Sequence, residues 1–269
     1  MGVRVNPEVS SIFARRQVER TNRSILSNQE QLSSLLRINR AADDAAGLAI
    51  AERFSSQVRE INQEVNSFQS GINLAQTAEG GLEVQSDAVG RIRELAVQAA
   101  NGTLNDDQRD AINAEAQELL QEIDATANNT EFNGVSPLNN GNQQVALDAS
   151  GGVDIEFDES TVNSLNLDTV DLSTQAGASA ALDALDNAQT QINTNRANIG
   201  AQQNGLSATI EEHSTSALNL QEAESRIRDV DVARAFIEKT RNDVLLQGGL
   251  SALIQGRSQS QTALSLLNG

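Results

Sequence analysis

The sequence predicts a mainly α-helical protein: a long antiparallel helical bundle or coiled coil with one short β-hairpin in the middle of the chain. Three observations carry this. Apolar residues recur at heptad spacing through both ends of the chain. Aromatic residues are scarce, with no Trp or Tyr and six Phe in 269 residues, so the core must be built from aliphatic side chains packed along helices. The turn signals gather in one central region, and the chain holds only two Pro to break helices elsewhere.

Taken in order, Ile25, Leu32, Leu35, Leu36 and Ile38 place a first helix over about residues 7–40. A second starts near Asp43 or Asp44, whose carboxylates suit a helix N-terminus. Its seam, Phe54, Val58, Ile61, Val65, Phe68, Ile72, Ala75, steps by four and three. The stripe continues through Leu82, Val89, Ile92, Leu95 and Ala99 across Gly80-Gly81, which gives one helix of roughly 55 residues, ~80 Å long. Such a length suits a rod or fibre. Asn101-Gly102 ends it, Thr103 is the expected N-cap of a third helix, and Ile112, Ala116, Leu119, Leu120, Ile123 and Ala127 form that helix's apolar face.

Residues 132–174 read differently. Asn133-Gly134, Pro137, Asn140-Gly141 and Gly151-Gly152 are turn signals, and residues 144–148 and 153–157 alternate apolar with polar side chains around Ser150-Gly151-Gly152. That pattern predicts a hairpin at about 143–158. Helix resumes near Ala178, with Leu185, Ile192, Ile199, Leu206, His213 and Leu220 seven apart. A last helix is expected from about Arg226, with Val230, Ile237 and Val244 at heptad spacing, then Leu250, Leu253, Leu264 and Leu267. Helices at both ends and a β excursion between them mean that the chain goes out and comes back.

Charge is segregated. Residues 1–40 carry seven Arg and three Glu, whereas 41–139 carry five Arg against 17 acids, and 140–190 carry nine acids and no base. Residues 225–269 turn mildly basic again, with six bases and four acids. An acidic middle argues against nucleic-acid binding, which needs a basic face. No apolar run is long enough to span a membrane, and Met1-Gly-Val-Arg-Val-Asn-Pro7 lacks the apolar stretch of a secretory signal. The chain is expected to stay in the cytoplasm or to leave without a cleaved signal peptide.

Nothing in the sequence assembles catalysis, and no cofactor or metal is expected. There is no Cys and one His, His213, which lies on a heptad seam as a packing residue. One His without Cys makes neither a triad nor a two-histidine metal site. The acidic pairs Asp43-Asp44, Asp106-Asp107, Asp158-Glu159 and Glu211-Glu212 are sequence neighbours; on a helix such neighbours point apart, so capping and solvation account for them. The acid-rich stretch 148–171 has no calcium-loop pattern. Gly80-Gly81 and Gly248-Gly249 lack the Gly-Lys-Ser/Thr of a phosphate loop and are read as sites of local helix flexibility or of close packing between helices.

Several long motifs resemble those of one family. Leu32-Ser-Ser-Leu-Leu-Arg-Ile-Asn-Arg-Ala-Ala-Asp-Asp-Ala-Ala-Gly-Leu-Ala-Ile50 is similar to the N-terminal signature of bacterial flagellins, as are Gly71-Ile-Asn-Leu-Ala-Gln-Thr-Ala-Glu-Gly80, Arg91-Ile-Arg-Glu-Leu-Ala-Val-Gln98 and Glu131-Phe-Asn-Gly134. Ile199-Gly-Ala-Gln-Gln-Asn204, Ala223-Glu-Ser-Arg-Ile-Arg-Asp-Val-Asp231 and Leu264-Ser-Leu-Leu267 resemble the C-terminal half. The family usually has Gly where Leu35 stands.

This resemblance implies a discontinuous inner coiled-coil domain, 1–43 with 228–269, and a rod-like domain, 44–227, that carries the hairpin, with no variable outer domain. It implies a subunit that polymerises into the flagellar filament for swimming, outside the cell. The implied self-assembly interface comprises Ile25, Leu32, Leu36, Ile38, Val230, Ile237, Val244, Leu250, Leu253, Leu264 and Leu267. The implied partners are further copies of the chain, an export chaperone, a filament cap and a Toll-like receptor of an animal host, the last contacted by Arg91, Leu95 and Glu115. A hook–filament junction protein of the same fold is the alternative, and a cytoplasmic coiled-coil signalling module the remoter one.

Overall fold

A computed structural model describes residues 7–139, 143–147 and 153–267. Helices α1 (Pro7–Ser34), α2 (Ala45–Ala99) and α3 (Asp106–Asn129) precede strands β1 (Gln143–Ala146) and β2 (Asp154–Phe157); α4 (Gln175–Arg228) and α5 (Val232–Leu267) follow. The fold is mainly α with one hairpin, as the periodicities predict. The chain divides into two compact units, Arg59–Ala217 and Met1–Val58 with Leu218–Gly269. The division falls inside α2 and α4.

In the unit Arg59–Ala217, α2 runs antiparallel to both α3 and α4. Arg93 meets Asp186 at 2.6 Å, Ser86 meets Gln189 at 2.8 Å and Glu79 meets Gln203 at 3.3 Å, so numbers rise on α2 as they fall on α4. Arg91–Glu115 and Gln85–Ile123 show the same for α3. Because α2 has two neighbours, it buries a broad stripe, from Phe68 through Leu82, Val89 and Ile92 to Ala99. On α4, Ala178, Ala181, Leu185, Ala188, Ile192, Asn195 and Ile199 are buried in steps of three and four, which is the knobs-into-holes spacing.

Two buried polar side chains inside this unit, Gln85 and Arg109, are well partnered. The buried Gln85 donates through Nε2 to Ile123 O at 3.1 Å and Ser160 O at 2.8 Å, and its Oε1 accepts the Ser160 hydroxyl at 2.6 Å. Arg109 is buried at the start of α3, where Nε donates to Ala99 O and Nη2 to Asn101 O. A cation thus occupies the C-terminal end of α2, where carbonyls lack helical partners.

The hairpin is antiparallel, with Gln144 opposite Glu156 and Val145 opposite Ile155; its turn lies outside the described residues. It packs on α2 at Gly71, where a Cβ would lie 2.5 Å from Leu147 Cδ1. Gln202 of α4 closes the free edge of β2, since its Nε2 donates to Glu156 O and its Oε1 accepts Glu156 N–H. Gly81 is likewise a packing glycine, because a Cβ there would lie 2.7 Å from Leu138 Cδ1, whereas one at Gly80 would touch nothing.

Several expectations need correction. The first helix stops at Ser34 rather than near Arg40, because Leu35 adopts a left-handed backbone (φ 60°) that no α-helix continues. Asn105, not Thr103, caps α3: its side chain accepts from Gln108 N–H while Gln108 reaches back to Asn105 N–H, a reciprocal box that Thr103 is too early to form. The C-terminal helix does not begin at Arg226. There α4 persists to Arg228, and α5 opens at Val232 after a short break. The segment before α4 packs into the core without regular structure: Val162, Leu165, Leu167, Val170 and Leu172 are buried, and α3 holds their backbone through Asp124, Gln117 and Asn113.

Candidate assembly surface

The other unit pairs α1 with α5. On α1 the sheltered positions are Ala14, Val18, Thr21, Ile25, Asn28 and Leu32; on α5 they are Ala235, Lys239, Asn242, Leu246, Gly249 and Leu253. Both sets step by three and four, so each helix presents one heptad seam. Val18 lies against Gly249, whose Cβ, if built, would sit 2.8 Å from the valine's Cγ2. Residues 23–28 and 238–242 line one groove farther along. The register is therefore antiparallel.

This seam is not the one that heptad counting selects on α5. Ile237 and Val244 are 67% and 62% exposed. At about 100° per residue they lie roughly opposite the Ala235–Leu246–Leu253 line. Phe236, Leu245, Leu250 and Ile254 are also exposed, which spreads apolar side chains over every side of α5 that α1 leaves open. Ile12, Phe13 and Leu26 do the same on α1. Of the exposed large apolar residues in the arg-poor unit Arg59–Ala217, by contrast, only Val84 and Val97 stand out among the described residues. Large apolar side chains gathered on an exposed helix surface mark an interaction site.

The expected interface residues therefore separate into groups. Ile25, Leu32 and Leu253 are half-buried in the α1–α5 seam, and so are intrachain contacts first. Ile38 is 2% exposed, so it is a core residue and not a surface contact, which corrects its assignment to the interface. Leu36 and Val230 lie in the connections that flank α1 and α5, half-buried, and not on a helical seam. Ile237, Val244 and Leu250 present free apolar surface. Leu264 and Leu267 fall within α5, but their side chains lie outside the described residues. Phe13 and Leu26 on α1 and Phe236, Leu245 and Ile254 on α5 are not singled out by heptad spacing; the signal that finds them is large apolar residues lying off the paired seam of each helix.

The chemistry-bearing residues read from the sequence do not converge. His213 Nδ1 stands 3.1 Å from Glu64 Oε2, and the ring meets Phe68 edge-on at 5.3 Å, a packing arrangement on the α2–α4 seam. Asp43 accepts from Asn39 and Arg40 N–H, and Asp44 accepts from Gly47 N–H at the start of α2, so both acids cap. Arg91 donates to Glu115 through two nitrogens and to Glu94 through a third; these hydrogen bonds to Glu115, then to Glu94, raise its guanidinium above its ordinary pKa. Leu95 is 2% exposed. It belongs to the core and offers almost no surface of its own, which corrects its place as a receptor contact.

Known proteins share this arrangement. The bacterial flagellin N-terminal helical region matches residues 5–143, and the bacterial flagellin C-terminal helical region matches residues 182–267. The chain belongs to the bacterial flagellin family. A flagellin-family relative from Treponema phagedenis, the flagellar filament 33 kDa core protein, is 38% identical over 283 residues, which span 98% of this chain and 99% of the relative. The flagellin of Halalkalibacterium halodurans is 41% identical over 244 residues, 88% of this chain and 90% of its own. The fold is also that of a putative flagellar hook-associated protein from Vibrio parahaemolyticus, with a TM-score of 0.59 over 70% of this chain and all of that one, at 17% identity. The flagellin family is one of structural proteins, and α1 and α5 lie in its two terminal helical regions.

Proposed function

We propose that this flagellin-family chain is the repeating subunit of a bacterial flagellar filament, whose polymer transmits rotation and gives thrust. One observation carries the reading: α5 exposes large apolar side chains on several sides, among its polar ones, and α1 covers only one side. The remaining sides gain burial only against other molecules, and further copies of the same chain supply matching apolar helices. The family membership and the full-length match to a filament core protein support the same reading.

Its finer parts follow from the family resemblance. The subunit is exported without a cleaved signal peptide and works outside the cell, with an export chaperone before assembly and a cap at the growing tip. Recognition by a Toll-like receptor rests on Arg91 and Glu115, which are exposed and ion-paired at 2.9 Å.

Addition of sheared filament fragments to the purified chain tests the polymer. Long unbranched filaments in negative-stain micrographs are expected. Soluble protein under all seeding conditions contradicts the reading, and short caps that never elongate point instead to the junction protein of the same fold.

A further inference from the structure

We propose that Arg37 is a positioning residue for assembly, the rivet of a clasp that sets where α1 and α5 enter their pairing. The proposal rests on the filament reading above and deepens it.

Two connections meet at this clasp, one leaving α1 after Ser34 and the other joining α4 to α5. Arg37 N–H donates to Arg228 O at 2.6 Å, and Val230 N–H donates to Leu35 O at 3.0 Å. Leu36 and Asp229 thus form a single antiparallel bridge. The Arg37 guanidinium donates to Ile227 O, at the C-terminal end of α4, where a cation meets unpaired carbonyls and the negative end of the helix dipole. One residue therefore holds the clasp through both its backbone and its side chain. On the far side Arg228 reaches Glu52 of α2 at 3.1 Å and Glu224 at 3.7 Å.

The clasp matters because the seam beyond it is a weak guide. Thr21, Asn28, Lys239, Asn242 and Gly249 interrupt its apolar positions, so packing alone discriminates poorly between registers. A slip by one residue turns a helix by about 100°; it would take Gly249 from under Val18 and swing the Ile237–Val244 stripe away from its place. Backbone bonds fix the residue count instead. Leu35 holds its left-handed conformation, unfavourable for a side chain with a Cβ, while its carbonyl accepts from Val230. That conformation is what the clasp must hold closed.

The test uses the full chain, with Arg37→Ala and Arg37→Lys beside the wild type. It measures the critical concentration for seeded polymerisation and, in the polymers, hydrogen exchange at the Arg37 and Val230 amides. Loss of a charge-assisted bond should raise the critical concentration of Arg37→Ala about tenfold and speed both amides about tenfold. Arg37→Lys, with charge but no planar fork, should fall between. Thermal unfolding of Arg59–Ala217 should not change. A critical concentration within twofold of wild type overturns the clasp, and so does a tenfold rise with both amides unchanged, because Arg37 then acts as a contact between subunits. A wild type that never polymerises overturns the filament reading itself, and this one with it.

Discussion

Val18 rests on Gly249, with no room between them for a methyl group. This contact fixes one side of α5 against α1, and everything apolar on its other sides is left over. The protein can thus be complete in the unit Arg59–Ala217, which has its own core, and incomplete in its terminal helices.

Adjacent glycines should respond oppositely. Gly249→Ala drives a Cβ into Val18, whereas a Cβ at Gly248 meets nothing within 4 Å. The helix gains about 0.5–1 kcal/mol from Ala in place of Gly, and overpacking costs about 1–3 kcal/mol. Far-UV circular dichroism of the monomer should show Gly248→Ala raising, and Gly249→Ala lowering, the midpoint at which the terminal helices melt.

Ile237→Asp combined with Val244→Asp separates folding from assembly. Both side chains are exposed, so monomer stability should move by no more than about 0.5 kcal/mol per site. Sedimentation should nonetheless find no polymer, since two carboxylates would be buried without partners. Polymer yield equal to wild type would show that this stripe faces solvent.

Gln85→Ala strikes the other unit. It removes both hydrogen bonds to Ile123 O and Ser160 O and leaves the Ser160 hydroxyl without its acceptor. Urea unfolding should show a loss of about 2–4 kcal/mol, from a cavity and stranded polar groups together. Ser160→Ala removes only the hydroxyl bond, keeps both Gln85 Nε2 bonds and should cost about 1 kcal/mol.

Charge sets the conditions for growth. Residues 59–217 carry 25 acids and five bases, whereas the terminal segments carry 12 acids and 14 bases. Neighbouring acidic shafts repel at low ionic strength, and salt at 0.15 M shortens that repulsion to about 8 Å. Light scattering should show seeded elongation several-fold faster at 0.15 M salt than at 0.01 M.

Much of this was legible from spacing alone. The 55-residue α2 was readable because its seam never slips and both ends carry turn or capping residues. The hairpin strands were readable from alternation. The end of α1 was not, because Leu36 and Ile38 continue an apolar pattern and no Gly or Pro marks Leu35 as the stop. The α5 seam was ambiguous, since Val230, Ile237 and Val244 obey the same seven-residue rule as Ala235, Asn242 and Gly249. Only a partner helix chooses between them. The burial of residues 162–172 was hidden because their apolar side chains follow no single period.

The most direct test of the account is amide hydrogen exchange on monomer and polymer side by side. Amides of α3 and of the Phe68–Ala99 segment of α2 should be protected equally in both. Amides of α1 and α5 should exchange at least 100-fold more slowly in the polymer (on the order of 3 kcal/mol gained by burying the open apolar sides). Equal protection of α5 in monomer and polymer would contradict the account, because those sides would then gain nothing from assembly.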